Sequence, residues 1–101
     1  MRAGQLRHRI TIEEREGAGW KWFADTWAAK EQILLKEQFE QANQLMHNEN
    51  MVRFRVRYRR DITDKMRVIF DDRAYDIQRL EELDNTRREM GLLCLEVPYS
   101  G

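Results

Sequence analysis

Residues 51–60 alternate between apolar and charged side chains with a period of two, which is typical of a β-strand. The apolar residues share one face of this predicted strand: Val52, Phe54, Val56 and Tyr58. The arginines share the opposite face: Arg53, Arg55, Arg57 and Arg59. A slip of one residue would exchange the two faces, so the pattern specifies the register and predicts that the apolar face belongs to the core.

Similar alternation, or a short apolar run between turn residues, predicts further strands on both sides. We expect them at 6–13, within 20–33, and at 66–70, 74–80 and 89–97. The polar stretch 14–19 contains two glycines and predicts a flexible hairpin connection. Asp71-Asp72 predicts a tight turn, because Asp tolerates a positive φ better than most residues.

Four large aromatic residues lie close together in the second predicted strand. Strict alternation places Trp20 and Trp22 on one face and Phe23 and Trp27 on the other. In so small a domain, some of these rings must lie at an edge or an interface. Trp20 and Trp22 are therefore candidates for a subunit or partner interface.

Residues 34–46 have a different period. Their apolar residues recur at steps of four, three and four, which is helical spacing: Leu35, Phe39, Ala42 and Met46. The stretch has no Gly or Pro and is rich in Glu, Gln, Lys and Leu, so local propensity also favours a helix. Its apolar stripe either covers an open end of a barrel or forms a subunit or partner interface.

Together these elements predict a single domain over residues 1–101 that is mainly β. We expect a small antiparallel β-barrel or sandwich with one inserted helix or long loop. The 101 residues suit one modest core, and 18 basic residues balance 18 acidic ones. The chain as a whole therefore has no long-range attraction for a polyanion, and any contact with DNA must come from a local patch.

We expect a protein that is neither secreted nor inserted in a membrane. Its first ten residues are charged and lack an apolar stretch, and no segment approaches the roughly 20 apolar residues that span a bilayer. Cys94 is the only cysteine, which excludes an intramolecular disulfide and fits a reducing compartment. Its position among leucines favours a buried apolar role over a reactive thiol.

Candidate catalytic and metal-binding groups are few. The only histidines are His8, in a predicted strand, and His47, near the end of the predicted helix, and no motif surrounds either. The pairs Asp71-Asp72 and Glu81-Glu82 lack the glycine and ligand spacing of a calcium loop. We therefore expect a protein that is not an enzyme and needs neither a metal nor a cofactor.

The arginine face of residues 53–59 has two interpretations. Its side chains would lie about 6.5 to 7 Å apart, which is close enough to follow a phosphate backbone. Alternatively, they form ion pairs with Glu and Asp of neighbouring strands or subunits, which the balanced total charge favours. The first interpretation leads to one function class, a monomeric small-barrel module that binds nucleic acid.

Several short segments, in their order and spacing, resemble a known protein family. They are Met1 to Gly4, Leu6 to Ile10, Trp27-Ala28, Arg55 to Arg59, Ile62 to Val68, Arg73 to Ile77, Arg87-Arg88 and Leu93-Cys94. The pattern resembles the head-tail joining proteins of tailed bacteriophages, also called head-completion, stopper or adaptor proteins. The likeness covers most of the chain and is densest from residue 51 to 95. It departs from the family at 33–36, where many relatives have Pro and Gly, and at Asp72, where many have Gly.

The resemblance implies a small β-barrel that assembles as a homo-oligomeric ring, typically a dodecamer, after DNA packaging. A portal or adaptor ring would lie above it and a tail-terminator or tail protein below, with double-stranded DNA in the channel. The implied location is the head-tail interface of the virion, with assembly in the host cytoplasm and without a membrane.

In relatives, a long inserted segment lines or closes the channel or contacts the next ring. Here that segment is about residues 31–50, including Phe39, Leu45 and Met46. The leading hypothesis is thus a structural protein of the phage neck that joins head to tail and helps retain packaged DNA.

Overall fold

Six antiparallel strands close into a barrel in the order β1-β2-β3-β6-β5-β4. The structure is a computed structural model, and it describes residues 5–33, 51–83 and 88–99. The strands are β1 (His8–Glu16), β2 (Gly19–Gln32), β3 (Met51–Arg57), β4 (Arg67–Phe70), β5 (Arg73–Glu82) and β6 (Glu89–Val97). The predicted class, a small antiparallel β-barrel, is confirmed.

The segment inserted between β2 and β3 begins later than the predicted position 31, because β2 extends to Gln32. Glu31 and Gln32 belong to β2, where they lie opposite Arg53 and Val52 of β3. The predicted helix, with the candidate interface residues that it carries, lies outside the described residues: Leu35, Phe39, Ala42, Leu45 and Met46. The turn that the sequence predicts near residue 85 also lies outside them.

The apolar face of β3 fills the centre of the barrel. Val52, Phe54 and Val56 are at most 4% exposed, as their alternation predicts. The ring of Phe54 packs edge-on against Tyr75 of β5 and Phe70 of β4. Apolar residues of β1, β4 and β6 complete the core: Ile10, Ile12, Val68, Leu92 and Cys94. Such T-shaped ring pairs add about 0.5 to 1.5 kcal/mol to the burial of the side chains.

Two tight turns set the hairpins of the barrel. Between β1 and β2 only residues 17 and 18 are outside the strands, and Gly17 has a φ of +60°. The predicted hairpin is confirmed, but the expectation that its flexible connection spans 14–19 is wrong, because most of these residues are paired in the strands. Asp71 and Asp72 both have positive φ, 55° and 63°, which confirms the predicted turn between β4 and β5.

A β-bulge interrupts the pairing of β1 with β2. Ile12 lies opposite Ala24, whereas the next residue, Glu13, lies opposite Trp22. Phe23 is therefore the extra residue on β2. A bulge of this kind shifts the alternation of the strand. Even-numbered residues before the bulge therefore lie on the same face of the sheet as odd-numbered residues after it.

Candidate interaction surface

The arginines of β3 do not form a free row of positive charge. Arg53 donates from Nε to Glu81 at 2.7 Å and from Nη1 to Glu31 at 3.4 Å. Arg55 donates from Nε to Glu31 at 3.1 Å and from Nη1 to Glu89 at 2.7 Å. Arg79 also contacts Glu81, at 3.0 Å. We call these six residues the ion-pair network: Arg53, Arg55, Arg79, Glu31, Glu81 and Glu89.

The strand register explains why these side chains meet. Arg53 lies opposite Glu31 of β2 on one side, and Arg55 lies opposite Gly91 of β6 on the other. Gly91 in turn lies opposite Glu81 of β5. A Cβ at position 91 would lie 3.2 Å from both Arg53 Cδ and Glu81 Oε1. The glycine therefore leaves the space in which Arg53 crosses β6 to reach Glu81.

The network holds three guanidinium groups and three carboxylates, so its formal charges balance. The Glu81 side chain is 16% exposed. Burial by itself opposes ionisation of Glu81, but hydrogen bonds from Arg53 and Arg79 outweigh it and hold the pKa of the carboxyl below its ordinary value. Because the positive charges of Arg53 and Arg55 are compensated, this face offers little attraction to phosphate groups.

The other two arginines of the alternating segment have different surroundings. Arg57 is exposed at the last position of β3. Arg59 lies beyond the strand, forms a two-point ion pair with Asp61 at 2.9 and 3.0 Å, and has its guanidinium 5.5 Å from the centre of the Phe23 ring. The prediction of a strand over residues 51–60 is therefore wrong beyond Arg57, where β3 ends. The backbone leaves the sheet at Tyr58, whose N–H donates to the carbonyl of Arg88.

A second surface lies on the outer side of the β1–β2 hairpin. The β1 residues Arg9, Glu13 and Arg15 lie opposite Trp27, Trp22 and Trp20 of β2. Trp22 is 62% exposed and Trp27 is 50% exposed. We call this surface the tryptophan face and define it as Trp20, Trp22, Trp27, Arg9 and Arg15.

The bulge at Phe23 creates this surface. Alternation predicted that Trp27 would share a face with Phe23 and not with Trp20 and Trp22. In the structure Phe23 packs against the core, and Trp27 lies on the outer side with the other two tryptophans. Phe23 lies on the opposite side from Trp20 and Trp22, as predicted. The prediction that Trp27 shares the side of Phe23 was wrong, because one extra residue in β2 reverses the parity between Trp22 and Ala24.

Cations lie against the tryptophan rings. The guanidinium carbons of Arg15 and Arg67 are 4.5 and 4.4 Å from the centre of the Trp20 ring, and that of Arg9 is 5.4 Å from the Trp27 ring. Arg67 also forms an ion pair with Glu13 at 2.8 Å. Contacts at this distance are within the range of cation–π interactions, worth about 0.5 to 2 kcal/mol each.

Asp25 lies in the middle of this surface and interacts with several of its neighbours. Thr11 donates to its carboxylate at 2.7 Å, and Arg9 approaches it at 3.9 Å. Hydrogen bonds from Thr11 and from the Trp22 side chain lower the pKa of the Asp25 carboxyl below its ordinary value. Arg15 forms no ion pair with any residue in the described ranges, so it supplies the excess positive charge of this surface.

The described residues contain no group of three or more His, Cys, Asp or Glu side chains that could hold a metal ion. His8 packs edge-on against Phe70 with 5.2 Å between ring centres, and His47 lies outside the described residues. Cys94 is fully buried, which raises the pKa of its thiol and confirms the predicted apolar role. In the described part of the chain, no helix is long and apolar enough to cross a membrane.

Comparison with known proteins gives one family match. A family model described as phage head completion protein matches residues 1–97. The chain is also similar to protein SF1141 from Shigella flexneri 2a, known from a solution structure, with a TM-score of 0.75 and 28% sequence identity over 95% of this chain and 96% of that one. No curated protein matches the chain.

Proposed function

Because the chain belongs to the phage head completion protein family, we propose that it forms a ring in the phage neck, joins the portal or head to the tail, and helps retain packaged DNA. Family membership already makes it a virion-associated structural protein of the phage head. The proposal goes further in three respects. The chain forms a ring, the ring lies between a portal or adaptor ring and a tail protein, and it retains double-stranded DNA in its channel. We also propose that the protein assembles in the host cytoplasm and that it has no catalytic role, metal or cofactor.

The observation that carries the proposal is the family match over 1–97 on a closed barrel with two distinct outer surfaces. A ring needs two different contact surfaces on each copy, since each subunit meets one neighbour in front and another behind. The tryptophan face, which contains the candidate interface residues Trp20 and Trp22, supplies one of them. Trp and Arg are among the residue types enriched in the hot spots of protein interfaces, which supports this assignment.

The ion-pair network argues against the alternative function class. A module that binds nucleic acid through Arg53 and Arg55 would need their charges free for phosphate groups, whereas both are neutralised by Glu31, Glu81 and Glu89. Breaking those pairs to reach DNA would leave partly buried carboxylates without their partners. We therefore do not propose a monomeric nucleic-acid-binding module.

The experiment is complementation of phage that lack this protein. Such phage should fill heads with DNA but release it or fail to attach tails, and adding the purified wild-type chain should restore tailed, infectious particles. Electron microscopy would count tailed particles, and nuclease treatment would measure DNA that has left the heads. Normal tailing without the protein would overturn the proposal, as would heads that fail to package DNA at all.

A further inference from the structure

Among the described residues, three large apolar side chains are exposed, two on one strand and one just after another. Trp22 and Trp27 belong to β2, and Leu83 directly follows β5. Leu83 is 37% exposed and follows Glu82, which is also exposed. The chain therefore offers an apolar surface with excess positive charge at β2 and an apolar residue beside a carboxylate at the end of β5.

The barrel order places these two sites on opposite sides of the molecule. In the closed order β1-β2-β3-β6-β5-β4, β2 and β5 are three strands apart in both directions. In a ring of about twelve copies, each subunit is rotated by about 30° from the next, so its two contact surfaces lie on nearly opposite sides. Sites on β2 and β5 meet this requirement.

We propose that the tryptophan face of one copy binds the Glu82–Leu83 end of β5 of the next copy, and that this contact closes the ring. This inference rests on the proposed function. Leu83 would pack between Trp22 and Trp27, and Glu82 would approach Arg15, which forms no ion pair with any residue of the described ranges. Opposite charges across the contact favour this pairing and disfavour a contact between two tryptophan faces.

Two carboxylates next to the tryptophan face argue for a protein occupant over nucleic acid. Glu13 and Asp25 lie among its arginines and would repel phosphate groups. Arg15 and Arg67 also lie against the Trp20 ring, where a base would otherwise stack.

Disulfide cross-linking in assembled particles tests the contact directly. Chains that carry both Trp22→Cys and Leu83→Cys should form a ladder of covalent multimers on a non-reducing gel. Each single variant should remain monomeric, and a mixture of the two singles should stop at dimers. Cys94 is buried, and the single variants also control for any reaction of its thiol.

A charge exchange provides a second test that does not depend on cysteine chemistry. Arg15→Glu or Glu82→Arg alone should lower the yield of tailed particles about tenfold, and the two together in every chain should restore most of it. Lys65→Glu and Asp64→Arg are matched controls, because both residues are exposed in the turn before β4. They should leave the yield unchanged. Thermal unfolding of each purified variant would separate loss of contact from loss of fold.

The outcomes distinguish this inference from the proposed function. If tailing requires the protein but the double variant Trp22→Cys/Leu83→Cys forms no ladder, the inference is overturned and the function stands. The same holds if the single variant Trp22→Cys cross-links to itself or to a different virion protein. DNA binding by the purified chain that Arg15→Glu abolishes would also overturn it, in favour of a nucleic-acid contact. Normal tailing in the absence of the protein would overturn the function itself.

Discussion

Arg53 of β3 and Glu81 of β5 form a 2.7 Å ion pair across β6, the strand that lies between them in the barrel. The pair is possible because β6 has no side chain at Gly91, where the Arg53 side chain crosses. The pair thereby links β3 and β5 on the outer side of the sheet, although their backbones are hydrogen-bonded to β6 and not to each other.

Replacing Gly91 should break this link. In Gly91→Val the Cβ alone would lie 3.2 Å from Arg53 Cδ and Glu81 Oε1, so both side chains must move. We expect the free energy of unfolding, measured in urea, to fall by about 1 to 3 kcal/mol, although valine favours strands. Gly19→Val is the control, because its Cβ meets only the Glu16 carbonyl oxygen at 3.9 Å. Equal effects at both positions would contradict the role assigned to Gly91.

Phe54 should be among the most costly residues to truncate. It is fully buried and packs against Phe70 and Tyr75, so Phe54→Ala removes a ring from the centre of the barrel. We expect a loss of about 3 to 5 kcal/mol in chemical denaturation. Arg57→Ala, at an exposed position of the same strand, should change stability by less than about 0.5 kcal/mol. Similar losses would show that the two faces of β3 are wrongly assigned.

Acid should weaken the ion-pair network through Glu81. Its pKa in the folded protein lies below its ordinary value of 4.5, so the ionised form contributes stability above about pH 4.5. That contribution should disappear as the pH falls through the lower, folded-state pKa. Unfolding in urea from pH 6 to pH 3 should show a smaller loss of stability in Glu81→Gln than in the wild type. An identical pH dependence in both would exclude Glu81 as a contributor.

The turn between β4 and β5 should accept glycine readily. Asp72 has a φ of 63°, which costs an L-amino acid more than it costs glycine. Asp72→Gly should therefore be more stable than Asp72→Ala by about 1 kcal/mol, as thermal unfolding would measure. If alanine is the more stable of the two, the turn does not hold this conformation in solution.

The segment between β2 and β3 should be needed for joining and not for folding of the barrel. A variant in which a short Gly/Ser linker replaces 35–46 should keep a cooperative unfolding transition, since loop length changes closure entropy by only about 0.6 kcal/mol per doubling. The same variant should yield heads that package DNA but leak it or fail to accept tails. Loss of the transition would place the segment in the core, and normal infectivity would give it neither role.

The sequence by itself determined the local elements of this protein. The period of two in 51–57 fixed the two faces of β3, because only one parity buries Val52, Phe54 and Val56. The strand at 89–97 and the turn at Asp71-Asp72 were also predicted with the bounds that the structure has. These features depend on residues that are close together along the chain, so the local sequence pattern predicts them.

The tertiary structure alone decided the order of the strands and the composition of the surfaces. Glu81 is 28 residues from Arg53, and only the closed barrel order brings the two together across Gly91. Likewise, the bulge at Phe23 depends on how β1 and β2 align, and it turns Trp27 to the same side as Trp20 and Trp22. Pairing between distant strands is set by the packing of the whole barrel. The sequence therefore favoured ion pairs for Arg53 and Arg55 without identifying their partners, and it named Trp20 and Trp22 without Trp27.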